Sequence, residues 1–113
     1  KGPFIKTVQE RGAAVIAARG SSSALSAAQA AVDHARSLFT VTDKSDTAAL
    51  CVVSDGSYGT PEGIISSFPC TTDGKGNWQI VKGLPMDDWS KAKAKVSTDE
   101  LVQEREIVKH LLA

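Results

Sequence analysis

The sequence predicts an α+β fold in which two helices precede a three-stranded antiparallel sheet and a third helix closes the chain. Three observations carry that expectation. Apolar residues recur at three- and four-residue spacing over the first 40 positions and again near the C-terminus, the period of a helix with one covered face. In the middle the pattern shortens to apolar runs of strand length, punctuated by Gly, Pro and Asp. The 113 residues suit a single domain, 1–113, in which helices layer against one sheet.

The first helix is expected over about Phe4–Arg19, with Ile5, Val8, Gly12, Val15 and Ile16 as its buried stripe. Gly20 stops it, because glycine enters the left-handed conformation without a Cβ clash. Ser21, Ser22 and Ser23 offer N-cap oxygens to a second helix reaching about Phe39. Leu25, Ala28, Val32, Ala35 and Phe39 mark its core face, while Ala24, Ala27, Ala30 and Ala31 leave its other faces small. Such a surface either admits another helix backbone or reflects alanine's helix propensity.

A charged turn at 42–46 ends the helical half. Ala48–Ser54 reads as a buried strand, and the Gly- and Pro-rich stretch 55–63 as a loop. Ile64–Thr72 resumes as a strand in which Pro69 predicts an edge or a bulge. Asp73-Gly74-Lys75-Gly76 has the composition of a hairpin turn, Trp78 and Ile80 alternate with Gln79 in the returning strand, and Gly83-Leu84-Pro85 ends it. Two helical pieces are expected in the tail. The first is a short one over Asp87–Lys95, with Asp87-Asp88 as its cap, and the second starts at a capping box, Ser97-Thr98-Asp99-Glu100. Leu101, Val108 and Leu112 mark the second one's apolar face, and Lys109 and His110 suit its C-terminal dipole.

Thirteen basic residues balance thirteen acidic ones, although residues 1–40 carry +3. Without a basic block there is no footprint for nucleic acid. The longest charge-free run, Gly20–Val32, is 13 residues and too short for a membrane span. Cys51 and Cys70 read as buried thiols of a reducing compartment. His34 and His110 lack neighbours at metal-ligand spacing, so no metal site is expected. Ser21–Ser23 have no adjacent base, and Asp73–Gly76 lies between strands and lacks the spacing of a phosphate loop. Residue chemistry therefore outlines an α+β domain without a complete active site.

Several segments, taken in order, resemble a known family. Thr7-Val8-Gln9-Glu10-Arg11-Gly12-Ala13-Ala14-Val15-Ile16, Arg19 and Ser22–Ala28 are similar to the long bent helix of the lactate/malate dehydrogenase family, in its cytosolic-type malate dehydrogenase branch. Ser54-Asp55-Gly56-Ser57-Tyr58-Gly59, Ser67-Phe68-Pro69, Gly83-Leu84-Pro85 and the tail from Glu100-Leu101 to the final Leu-Leu-Ala follow in the family's order. Residues 39–49 depart from it, lacking the aromatic and Gly-Thr-Pro turn of relatives.

The resemblance implies the C-terminal substrate domain of that fold: long bent helix, three-stranded antiparallel sheet and C-terminal helix. The Rossmann domain is absent from this chain, which contains no G-x-G-x-x-G and begins at Lys1, and a fragment expected to be inactive by itself follows. The implied whole is a cytoplasmic, NAD-dependent enzyme interconverting malate and oxaloacetate by hydride transfer. In it a histidine base and substrate-clamping arginines lie upstream of these residues, so neither His34 nor Arg19 takes a catalytic role. Ser22 and Ser23 match residues beside substrate and nicotinamide, and a helix start also suits an anion; capping alone explains them equally. Ala24, Ala27, Ala31 and His34 are expected at a homodimer interface. A lactate dehydrogenase of the same superfamily, or a non-catalytic dimerisation or interaction domain, are the alternatives.

Overall fold

The computed structural model describes residues 2–43 and 45–112; Lys44 of the charged turn, Lys1 and Ala113 lie outside the described residues. The chain divides into two compact units, one ending at Arg36 and the other beginning at Ser37.

The first unit is helical. Helix α1 spans Gly2–Arg19 and helix α2 spans Ala24–Ser37, close to the expected bounds. The Gly20 N–H closes the last turn of α1 on the Ile16 carbonyl at 2.8 Å, and a φ of +75° reverses the chain there. The expected covering of α1 does not appear: no residue of either helix is buried, and Val8 and Ile16 are more than half exposed. A helix satisfies its own backbone, so it forms on local pattern even where nothing covers its stripe.

The second unit is built on the sheet. Strands β1 (Ala48–Val53), β2 (Ile65–Thr72) and β3 (Trp78–Ile80) form an antiparallel sheet in the order β1-β2-β3. Leu50, Val52, Phe68, Cys70 and Ile80 share its buried face, with Leu38 and Tyr58 packed on them. Three expectations are corrected here. β1 alternates between buried and exposed, because only one face of the sheet is covered. Cys51 is therefore exposed, and Cys70 is the buried thiol, its titration pushed up by loss of water around the thiolate. Pro69 lies in the central strand, not at an edge or bulge.

Register explains how the centre tolerates a proline. Opposite Ala49, Pro69 occupies a pair that exchanges no ladder bond, since the neighbouring even-numbered positions of β1 carry the bonds. On the other side it faces Val81, one residue beyond β3, whose N–H donates to the Pro69 carbonyl at 2.8 Å. The missing proline N–H thus falls at the end of a ladder.

Loops lock onto this frame through short polar side chains. Buried Thr72 holds the 37–42 segment: its hydroxyl lies 2.7 Å from the Ser37 carbonyl and 2.6 Å from that of Thr40, and its N–H donates to Thr42 Oγ1. The hairpin turn is as expected, with Asp73 Oδ1 accepting from the Lys75 and Asn77 N–H groups. Gly74 has a φ of +74°, and a Cβ there would sit 3.2 Å from the Val41 nitrogen. Ser54 closes the long loop, donating to the Thr60 carbonyl at 2.8 Å and accepting from Gly56 N–H.

Helix α3 is continuous over Asp88–Val108, followed by a single 3₁₀ turn at Lys109–Leu111. The Asp87 side chain caps it by accepting from Ser90 N–H at 2.8 Å. The expected second start at Ser97–Glu100 is therefore a correction. No Gly or Pro interrupts 88–108, and the Lys95–Asp99 pair at 2.8 Å spans the supposed junction.

Candidate functional site

In the helical unit the candidate residues cluster at one turn. Ser22 is exposed and Ser23 half buried at the entry to α2, where the Ser23 carbonyl accepts from Ser26 N–H at 2.9 Å and from Ala27 N–H at 3.4 Å. Arg19 reaches across the turn and donates to the Ser22 carbonyl at 3.1 Å. A cation, exposed hydroxyl-bearing residues and the positive end of a helix thus share one short turn, an arrangement electrostatically suited to a carboxylate or phosphate. Ala24, Ala27, Ala31 and His34 lie within one arc of α2, and all four are exposed.

In the sheet unit the structure assembles a second place, one the sequence reading did not assign. Ser54–Gly59, Ser67–Pro69 and Gly83–Pro85 are far apart in sequence, yet all three converge on Tyr58. Its ring stacks on Phe68 with centroids 6.5 Å apart, and its hydroxyl donates to the Val81 carbonyl while accepting from Leu84 N–H at 3.3 Å. Tyr58 itself has a φ of +56°, a left-handed conformation costing a non-glycine residue roughly 1–2 kcal/mol. Asp55, in the same loop, forms an ion pair with Lys82 at 2.8 Å. The Lys82 ammonium and then the Ser57 groups hold the Asp55 carboxyl well below the usual carboxylate range.

Beside Tyr58 lies a cavity of about 460 Å³, walled by Phe68, Pro69, Leu84, Pro85 and Met86 and rimmed by hydroxyls that include Thr60 and Thr98. Its lining is apolar and hydroxyl-bearing, with no carboxylate, imidazole or amine among the described residues. Among the described residues no group of three or more His, Cys, Asp or Glu side chains could hold a metal ion, and no helix is long and apolar enough to cross a membrane. In the sequence the Tyr58 cluster left only local traces: a Gly- and Pro-rich loop at 55–63, and a proline within a strand.

Comparison with known proteins gives these features a context. Residues 1–112 match the description of the lactate/malate dehydrogenase alpha/beta C-terminal domain. A malate dehydrogenase of Magnetococcus marinus is 53% identical over 109 residues, which cover 96% of this chain and 33% of that protein. The crystal structure of malate dehydrogenase from Naegleria fowleri superimposes with a TM-score of 0.78 at 40% identity, covering 96% of this chain and 32% of the other. A Trichomonas vaginalis lactate dehydrogenase in complex with NADH and oxamate gives 0.77 at 29% identity, covering 97% and 34%. The chain spans about a third of the length of these relatives.

Proposed function

The chain belongs to the lactate/malate dehydrogenase family, as its alpha/beta C-terminal domain, and on that premise we propose that it is part of an NAD-dependent malate dehydrogenase. The observation that favours malate over lactate is the 53% identity to a malate dehydrogenase across nearly the whole chain, against 29% to a lactate dehydrogenase. The whole protein's reaction on this reading interconverts malate and oxaloacetate, with NAD supplying the hydride acceptor.

These residues fit the cofactor only in part. They contain no strand–glycine–helix turn for its phosphates. Their contribution is the turn at Ser22 and Ser23, held by Arg19, which presents hydroxyls and a helix start to an anionic group. The 113-residue chain by itself is expected to give no heat with NAD in calorimetry and no oxaloacetate reduction.

The test is the Ser22→Ala, Ser23→Ala double variant of the intact enzyme. Stability should fall by about 0.5–2 kcal/mol if a cap is lost. A raised KM or a lowered kcat is expected in addition, measured by steady-state kinetics. Unchanged kinetics with only lowered stability leaves the turn a cap and nothing more.

The exposed arc of Ala24, Ala27, Ala31 and His34 is the surface through which we expect two copies to pair. Small side chains let helix backbones approach until many weak dispersion contacts add. Ala27→Gln with Ala31→Gln should shift the intact protein toward monomer in sizing with light scattering; a fully dimeric, equally stable variant removes the arc from the interface. Two unpaired cysteines are consistent with a reducing compartment, and the cytoplasm is the location that accords with this reading.

A further inference from the structure

We propose that the Tyr58 hydroxyl stands in for the N–H that Pro69 lacks, and so latches the segment leaving β3 into place as one wall of the neighbouring cavity. Register carries the first step. Val81 faces Pro69 as a pair that should exchange two ladder bonds, and only one of them exists, Val81 N–H to the Pro69 carbonyl. The reciprocal bond cannot form, because proline has no N–H. That leaves the Val81 carbonyl without its ladder donor on a residue only 5% exposed, where an unsatisfied acceptor is costly.

The donor it receives comes from 23 positions earlier in the chain, the Tyr58 hydroxyl. The same oxygen then accepts from Leu84 N–H, so a single phenol spans both ends of the 81–84 stretch. Leu84 leads directly into Pro85 and Met86, which line the cavity together with Phe68 and Pro69. Fixing residues 81 and 84 therefore fixes that wall.

The backbone at Tyr58 points the same way. A non-glycine residue at a φ of +56° persists only where its surroundings over-determine it. Here a ring stacked on Phe68 and a hydroxyl bonded at two places supply that determination. Glycine would relax the backbone and lose both. Phenylalanine would keep the ring and the strain but lose the latch, which makes it the discriminating substitution.

The experiment is hydrogen exchange on the intact protein, resolved at single amides, for Tyr58→Phe, Pro69→Val and the double variant. Tyr58→Phe should speed exchange of the Val81 and Leu84 amides about tenfold and leave the Leu50 and Val52 amides of β1 unchanged. In the Pro69→Val background, the new valine N–H can donate to the Val81 carbonyl. The effect of Tyr58→Phe on the Val81 amide should then fall below threefold, while Leu84 still responds. Pro69→Ala supplies the same N–H with less bulk and replaces the valine variant if that one does not fold. A change below twofold at both amides in Tyr58→Phe overturns the proposal, since packing of the ring alone would then explain the residue. An effect at Val81 as large beside valine or alanine as beside proline overturns it as well.

Discussion

Helices α1 and α2 bury no side chain, whereas the segment that follows them gathers Leu50, Val52, Phe68, Cys70 and Ile80 onto one face of a sheet. Alanine makes up most of the apolar residues in the first region, whereas larger side chains dominate in the second, and the two kinds of secondary structure also find their partners differently. A helix closes its hydrogen bonds within itself, so α1 and α2 are complete without a neighbour. A strand must find another strand, and the register that pairs them also brings their side chains together. Helix α3 extends the contrast into the sheet unit: it too has no buried residue, although Leu101 and Val102 are half covered.

The largest expected effect separates the two regions directly. Phe68 is 3% exposed and Ile16 is 51% exposed. Phe68→Ala should cost about 3–5 kcal/mol through lost burial and a residual cavity. Ile16→Ala should cost about 1 kcal/mol or less. Denaturant unfolding of the intact protein measures both. An equal loss at Ile16 would show that α1 is covered in the folded protein, and the contrast would vanish.

A middle-sized effect tests whether α3 is one helix. Asp87→Ala removes the cap at its start and should cost about 0.5–2 kcal/mol. Ser97→Ala replaces a mid-helix serine with a better helix former and should be neutral or slightly stabilising. Thermal unfolding of the two variants decides between one helix and two, because a real capping box at Ser97 would make the losses equal.

The smallest effect concerns acid. Asp55 is held low by Lys82 and Ser57, Asp73 by Asn77 and the hairpin amides, and Asp43 by Ser45; all three lie in the sheet unit. A carboxyl with a depressed folded-state pKa stabilises the fold fully above its unfolded value. That contribution is lost as pH falls through the folded value, so the window opens below about pH 4. Asp55→Asn should therefore flatten the acid side of the stability profile, slightly and less so in high salt, since the pair is exposed. An unchanged profile between about pH 5 and 2 would remove this ion pair from the account.

What was legible in the sequence was local. Helix periods, the Gly20 stop, the Asp73–Gly76 turn and the Asp87 cap all depend on residues within a few positions of one another, and all appear where the pattern put them. The serine turn was visible as a helix start, and its Arg19 clamp joins residues only three apart. Ser97–Glu100 misled because a capping box and the interior of a helix can share a composition; what distinguishes them is whether the chain breaks, and nothing there breaks it. Cys51 could not be placed because a short apolar run does not say which of its two faces is covered.

Only the tertiary structure decided where Pro69 sits and what Tyr58 does. A proline within a strand reads as an edge as long as the neighbours are unknown. Its place in the centre depends on β3 ending at Ile80, so that the absent N–H meets only the Val81 carbonyl. The donor that meets that carbonyl comes from a loop 23 residues away, held in a left-handed turn by a ring on Phe68. Periodicity and propensity report on the few residues around each position. A hydrogen bond between distant segments depends on register and strand length, which the chain acquires only when those segments meet.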